Sequence, residues 1–486
     1  MEADFLMHAI PGSEAVGMVM TSADLTLLTL TEVGDTIRNG GTSSLAITKA
    51  QLHLISDLDP DLHAYSQVME ASALEQAKTA DEELAAGCHR GPLHGVPIAV
   101  KDLCWVEGQR TRAGTLVHQN FIPDEDATVV RRLKQAGAII IGMTQMTEGA
   151  YSDYHPAITP PVNPWNGDYW AGISSSGSAV ATAAGLCFGA IASDTGGSIR
   201  WPSAANGVTG LKPTWGRVSR HGVFDLAPSL DHIGTIARSA IDAGVMLGAI
   251  AGSDPKDPTA AAQPVPDFCS ASRSGIDGLR IGFDPRLNSE DVEPQTRAAL
   301  AAATAVFSDL GAHMVEITFP DVRQMIADWV PNCAAEAAVV HERYFAKNRA
   351  LYGPILAGVI EMGKAVSEAE YQQILLRRAI FRAEVEVLCA TVDLILTPVQ
   401  PFAPLTLAAI ATLGEQPDLI ARLQRFTCPL DMSGHPALTF PAGIAKDGMP
   451  IGLQLLAGHF RELTLVRAGA AFQGRTAWHQ RHPRIS

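Results

Sequence analysis

The chain has 486 residues, 51 acidic against 36 basic, and a formal net charge of −15, which excludes a protein that grips nucleic acid or anionic lipid unaided. Charged residues are only 18% and apolar residues 47%, so much of the chain must lie inside a large core. With 43 glycines and 30 prolines, about 15% together, and no internal repeat, collagen, solenoid and disordered architectures are excluded as well.

The chain opens MEADFLMHAIPGSE, acidic where an export signal is basic and without a small-residue cleavage site, so no export signal is expected. Residues 23–90 read as helices, from the spacing of Leu45, Ala46, Ala50, Leu52, Leu54 and Ile55 and an Ala/Glu-rich run over 69–86. From Gly95 the pattern changes to short apolar runs bounded by Gly, Pro and Asp: 96–100, 138–142, 188–192 and 279–283. Helical segments fall between them, at 128–136 and 239–251. The proline-rich stretch 252–274 reads as a long surface excursion. A helical block over 293–390 follows, interrupted by a strand at 314–318. Three more strands, 394–397, 437–441 and 451–456, precede a closing helix over 462–473. Short apolar strands alternating with helices predict an α/β fold. Because strands recur on both sides of the helical block, one continuous sheet is expected, covered by helices on both faces.

The seven cysteines, Cys88, Cys104, Cys187, Cys269, Cys333, Cys389 and Cys428, are scattered and odd in number, the usage of reduced thiols in a cytoplasmic protein. No apolar stretch approaches the ~20 residues a membrane span needs.

The densest chemical signal is 171–214, AGISSSGSAVATAAGLCFGAIASDTGGSIRWPSAANGVTGLKPT. Residues 176–187 are small and helix-compatible and run out ~18 Å at 1.5 Å each. Residues 188–193 are strand-like and run back ~20 Å at 3.3 Å each. The two lengths nearly cancel, so Ser174 and Ser198 can lie side by side. Ser198 closes the loop Asp194-Thr195-Gly196-Gly197-Ser198 at the carboxyl end of a strand, where α/β proteins place their sites. Two glycines allow either an ordinary tight turn or successive N–H groups presented to one point, as an oxyanion hole requires. Lys101 ends the apolar run 96–100. It is either a lysine snorkelling to solvent or a buried one, in which the neutral amine is favoured and general-base work becomes open. At an ordinary pKa of ~10.4, deprotonation at pH 7 costs about 4.6 kcal/mol, so burial must supply the shift.

A lysine at one strand end, a serine-rich loop and a Gly-Gly-Ser at another strand end, in this order, closely resemble the amidase signature family of serine hydrolases. The match runs from Gly95-Val96-Pro97-Ile98-Ala99-Val100-Lys101-Asp102 to Gly210-Leu211-Lys212-Pro213-Thr214. Weaker likeness continues through 229–234, 254–258 and 434–437. The resemblance implies one amidase domain over 1–486, with a signature core at about 95–214 and the 293–390 block shaping the substrate pocket. It implies a Ser-cisSer-Lys triad: Ser198 as nucleophile, Ser174 as the bridging serine behind a cis peptide, and Lys101 as base. It further implies an oxyanion hole from the N–H groups of Thr195, Gly196, Gly197 and Ser198, with Ala150 beside the substrate. The implied reaction is hydrolysis of the C–N bond of a small, linear, non-peptide amide or a carbamate through an acyl-enzyme, with esters also accepted. Water is the second substrate, no cofactor is needed, and a monomer and a homodimer both fit.

Two positions depart from the family pattern: Ile173 and Ser176 stand where glycines are common. A Ser-His-Asp alternative would use Ser198 with His221 or His232 and Asp225 or Asp231. No metal is expected, since no HExxH or ligand-spaced Cys/His set appears and His479 with His482 is a weak pair. Tyr151, Tyr154, Trp165 and Trp170 either line an aromatic-tolerant pocket or pack the core. The core motifs, including Gly216-Arg217-Val218-Ser219-Arg220, also resemble the amidase subunit of a tRNA-dependent amidotransferase. Against that reading, a Gly-x-Glu-Val-Lys-Arg-Arg run is missing, and Leu423-Gln424-Arg425-Phe426-Thr427 lacks the acidic residue expected to hold the amino group of glutamine. A noncatalytic binding protein with the same fold is the remaining alternative, opposed by retention of all three triad residues.

Overall fold

The computed structural model describes residues 25–484. The acidic N-terminal segment lies outside the described residues. Eleven strands form one mixed sheet: β1 (Tyr65–Val68), β2 (Pro97–Lys101), β3 (Ile139–Thr144), β4 (Gly189–Asp194), β5 (Thr209–Lys212), β6 (His232–Ala237), β7 (Arg280–Phe283), β8 (His313–Glu316), β9 (Leu394–Pro398), β10 (Ala437–Ile444) and β11 (Pro450–Leu456). Their order is β1-β3-β2-β4-β6-β5-β10-β11-β9-β7-β8. β2 runs parallel to β3 and β4, and β7 to β8 and β9; the other pairs are antiparallel.

Both faces of the sheet are covered, as the alternation of side chains along the strands requires. Ile98, Val100, Ile140 and Ile191 join the larger core, which includes residues of the helix Ala240–Ile250. Their neighbours Ala99, Ile139, Ile141 and Ala190 point into the opposite core with Ala73, Ala77, Val180 and Ala181 of the helices Glu70–Ala85 and Ser176–Ala183. Every residue of β2, β3 and β4 is buried, whereas the edge strands β1 and β8 are partly exposed.

Three strands depart from the sequence reading. β1 interrupts the expected all-helical stretch, and β5 and β6 have no counterpart among the expected strands. The helix after the serine loop ends at Ala183, so it is four residues shorter than predicted, and a turn at Ala184–Gly185 carries the chain toward β4. The stretch 252–274 is tied down as well. The Asp254 carboxylate accepts hydrogen bonds from the Thr128 and Ser219 hydroxyls at 2.5 and 2.6 Å, and Phe268 and Ala271 are buried in the core. Between these anchors the stretch runs over the surface as expected, with Pro255, Lys256 and residues 262–265 exposed.

Candidate active site

β2 and β4 are parallel neighbours, so their carboxyl ends open on the same edge of the sheet. β2 ends in Lys101, fully buried, and β4 ends in Ser193-Asp194. Lys101 Nζ lies 2.6 Å from Ser174 Oγ, 2.9 Å from Ser175 Oγ and 2.8 Å from Ser193 Oγ. Burial is the chief cause of its pKa falling from the usual lysine value to about 7, with Cys104, Asp194 and Asp231 acting in the opposite sense.

The two loop serines differ in how they are held. Ser175 Oγ donates to the Ser193 carbonyl at 3.1 Å and faces the Ser193 N–H at 3.3 Å. Its proton is therefore occupied. Ser174 follows a cis peptide from Ile173, and Lys101 is the hydrogen-bond partner of its hydroxyl among the described residues. The Ser174 carbonyl accepts from Thr147 N–H at 3.4 Å, which seats the serine loop against the turn after β3.

The loop after β4 is oriented through its own peptide planes. Trp329, on the helix Arg323–Asn348, donates its indole N–H to the Thr195 carbonyl at 2.8 Å. Cys428 Sγ donates to the Gly196 carbonyl at 3.2 Å. In a trans peptide the following N–H points opposite to the carbonyl, so the Gly196 N–H is turned away from Trp329. The Gly197 N–H is turned onto Asp194 Oδ1 at 2.6 Å. Gly197 is thus a correction to the expected donor set: its N–H holds the loop. The N–H groups of Thr195, Gly196 and Ser198 make no hydrogen bond among the described residues.

Both glycines have physical reasons. Gly197 has φ +139°, and a Cβ at Gly196 would stand 2.4 Å from the Trp329 ring. Ser198 is 6% exposed, at the start of the turn that leads into the helix Arg200–Asn206.

Asp194 anchors this turn. It accepts from the Ile199 N–H at 3.0 Å and from Arg200 Nε and Nη2 at 3.0 and 2.9 Å. Arg200, equally buried, also reaches Asp431 at 2.6 Å and the Thr427 carbonyl at 3.1 Å. The guanidinium holds the Asp194 carboxyl well below the usual carboxylate range despite burial, which acts to raise it.

Ala150 lies in the short 3-10 turn Glu148–Ala150 with φ +61°. Next to it, Gly149 lines a cleft of about 380 Å³ together with Trp105, His118, Met146, Phe224 and His341. The cleft lies on the Ala150 side of the site, and none of Ser174, Ser175, Ser193 and Ser198 lines it.

The four aromatic residues separate. Tyr151 stacks on Trp329, with ring centroids 6.2 Å apart and planes at 9°, and the Tyr154 hydroxyl bonds Ser176 Oγ. Trp165 donates to the Asn206 carbonyl at 2.9 Å, and Trp170 packs on Trp201 at 6.2 Å. Ser176, one of the two departures, therefore has a partner its glycine counterpart would lack, while Ile173 packs half-buried against the larger core.

The histidine alternative is not assembled. His221 pairs with Glu125 at 3.2 Å, and Asp225 pairs with Arg220 at 2.6 Å. His232 Nδ1 faces the Leu230 carbonyl at 2.6 Å, and burial keeps it neutral. Asp231 accepts from the Thr195 hydroxyl at 2.6 Å and from the Leu226 and Ala227 N–H groups.

Sequence reasoning missed Ser193, Arg200, Trp329, Cys428 and Asp431. The first two lie within the quoted motif. The others come from segments more than a hundred residues away, with no local pattern to mark them.

The family model for Amidase matches residues 46–466. The chain belongs to this family of amidase-type hydrolases. AmiD of Mycobacterium tuberculosis (strain ATCC 25618 / H37Rv), named among the amidases, is 46% identical over 94% of this chain and 96% of its own length. A glutamyl-tRNA(Gln) amidotransferase subunit of Geobacter metallireducens is 36% identical over 93% and 98%. The native peptide amidase of Stenotrophomonas maltophilia superposes with a TM-score of 0.79 at 28% identity, covering 94% of this chain and 98% of that one.

Proposed function

We propose that this protein hydrolyses the C–N bond of a small amide or carbamate through an acyl-enzyme on Ser198, with Ser174 and Lys101 as proton relay. The observation that carries the reading is a fully buried lysine, its pKa lowered to about 7, held 2.6 Å from the hydroxyl of Ser174. A neutral amine there accepts the Ser174 proton while Ser174 takes the proton of Ser198. Ser198 Oγ attacks the carbonyl carbon, and the free N–H groups of Thr195, Gly196 and Ser198 receive the oxyanion. The proton returns through Ser174 to the leaving nitrogen as the C–N bond breaks. Water, deprotonated by the same relay, then cleaves the acyl-enzyme to a carboxylic acid, or to a carbonic acid half-ester when the C–N bond broken is that of a carbamate. Esters need less help at the leaving group and react by the same steps.

The described chain acts as one amidase domain in this reading, with the helix Arg323–Asn348 supplying Trp329 and part of the cleft wall. A cytoplasmic location is supported by seven free cysteines. Among the described residues no helix is long and apolar enough to cross a membrane. The non-reacting part of the substrate is best placed in the cleft on the Ala150 side, where Trp105, Phe224 and Tyr344 stand beside the polar His118, Asp225, Glu342 and Arg343.

The test is release of amine and acid from a panel of linear anilides, aliphatic amides, aryl carbamates and aryl esters. The wild type is expected to turn over at least one C–N substrate and Ser198→Ala none. Turnover of esters alone would contradict the amide and carbamate reading. The 36% likeness to an amidotransferase component supports a second reading, in which the chain releases ammonia from glutamine for a tRNA-bound partner. Co-purification with a partner and a glutaminase activity stimulated by tRNA would select it.

A further inference from the structure

On the side of the fold where the helical block meets the late strands, three metal-ligating side chains converge outside the catalytic serines. Glu386 belongs to the helix Glu368–Thr391, His435 precedes β10, and His459 follows β11. Their ligand atoms all lie within 4.8 Å of one another. His435 Nε2 is 3.6 Å from Glu386 Oε1, His459 Nδ1 contacts the same oxygen, and the two rings are 4.0 Å apart.

Ser433 engages the outer nitrogen of both rings. Its hydroxyl donates to the Leu430 carbonyl at 3.4 Å and stands 3.0 Å from His435 Nδ1, a geometry that suits an Nδ1–H on His435. The Ser433 carbonyl can only accept, so His459 places its Nε2–H on it at 3.2 Å. With protons on those outer nitrogens, the inner nitrogens aim lone pairs at a carboxylate oxygen. His435 Nε2 is fully buried and has no hydrogen-bond partner. Three lone pairs meeting at one point need a positive charge between them. Imidazoles held by an outer hydrogen bond, with the other nitrogen turned inward, are the arrangement of metal-binding histidines.

We propose that Glu386, His435 and His459 form a binding site for a divalent transition metal of the zinc type, separate from the catalytic serines. Two imidazoles and a carboxylate are the donor set of zinc and its neighbours, and calcium or magnesium would require more oxygen. Tetrahedral bonds of about 2.0–2.1 Å place ligand atoms roughly 3.3 Å apart, close to the His435–Glu386 separation. Glu386, 43% exposed at its side chain, can rotate to open its contact with His459, and it marks the entry route and the place for a water as fourth ligand. Besides Glu386, the charged and titratable groups that face His435 are His459, Lys212 and Arg382. The positive charges of Arg382 and Lys212 oppose a cation. Lys212 is engaged with the His435 carbonyl at 2.6 Å and faces Asp431 at 4.0 Å. A bound ion would clamp the helical block to the ends of β10 and β11.

The experiment is titration of the chelator-treated full chain with zinc chloride against a chromophoric competitor, together with the visible spectrum after cobalt(II) addition. One zinc per chain and a cobalt band of tetrahedral intensity are expected. Glu386→Gln and His459→Ala should each weaken binding by more than ~100-fold, and Ser433→Ala by the ~10–100-fold typical of an outer-shell partner, with circular dichroism confirming that each is folded. The site is refuted if the folded wild type binds no zinc at micromolar concentration, which would mean that a proton shared between His459 and Glu386 supplies the positive charge. It is equally refuted if folded Glu386→Gln and His459→Ala bind zinc as the wild type does.

Discussion

Trp329 donates its indole N–H to the carbonyl of Thr195 at 2.8 Å, joining a helix of the 293–390 block to the loop that carries Ser198 across 134 positions of sequence. The contact sets the direction of the Gly196 N–H, and the indole ring fills the space where a Gly196 side chain would stand. Trp329→Phe keeps an aromatic ring and removes the donor. Turnover is expected to fall ~10-fold, the equivalent of one hydrogen bond of about 1–1.5 kcal/mol, with KM little changed. Gly196→Ala forces the loop off the ring and should cost ~100-fold or more in kcat, as for loss of an oxyanion donor. Steady-state kinetics on one substrate measure both.

Ser174 and Ser175 have different duties although both hydroxyls touch Lys101. Ser175 ties the serine loop to β4 through both polar groups of Ser193, whereas the Ser174 hydroxyl has Lys101 as its partner among the described residues, as the proposed relay needs. Ser174→Ala should lower kcat/KM by roughly 10²–10⁴-fold at nearly unchanged melting temperature. Ser175→Ala should show the reverse emphasis: a stability loss of about 1 kcal/mol and the smaller kinetic effect. Thermal melts and kinetics on the same preparations separate the two.

Activity should follow the neutral form of Lys101. With its pKa held at about 7 by burial, kcat/KM is expected to rise through pH 7 and level off above it. Asp102 and Glu148 are also raised to about 7 by burial, so the same profile must persist in Glu148→Gln. Stability carries the same signature. The unfolded lysine keeps its proton to the ordinary value near 10.5 while the folded one releases it near 7. Between these values the unfolded state binds more protons, and stability rises with pH. The melting temperature of the wild type relative to Lys101→Met should therefore climb from pH 7 to pH 9.

Arg200 is buried with two carboxylates and a carbonyl on its guanidinium. Arg200→Ala leaves Asp194 without its hydrogen-bonded cation and Asp431 with only Lys212 at 4.0 Å, and breaking such a buried pair costs roughly 3–5 kcal/mol. Denaturant unfolding should register that loss, and the Asp194 turn beneath Ser198 should lose activity in step. Arg200→Lys rescues only partly, because an ammonium cannot bridge Asp194 through two parallel bonds.

What is legible in the sequence follows from where the signal is local. The strands β2, β3, β4 and β7 are short apolar runs between breakers, and each can be read from its own residues. β6 reads His-Ile-Gly-Thr-Ile-Ala and β5 Thr-Gly-Leu-Lys, and both hide their burial behind polar side chains satisfied by partners outside the strand, such as Thr235 on the Ala243 carbonyl in the following helix and Lys212 on the far-off His435 carbonyl. β1 is a four-residue edge strand between two helices, too short to break their pattern. The positions of Lys101, Ser174 and Ser198 are legible as a motif, but the partners that orient them are not. Trp329, Cys428 and Asp431 reach the site only after the sheet has brought its two halves together.

Activation of the Ser198 nucleophile by the buried Lys101 is open to test by covalent labelling with a fluorophosphonate. Peptide mass spectrometry is expected to place the adduct on Ser198 in the wild type, with labelling of Lys101→Ala and Ser174→Ala slowed by at least ~100-fold. An adduct on any other residue, or a folded Lys101→Ala that labels at the wild-type rate, would contradict the account.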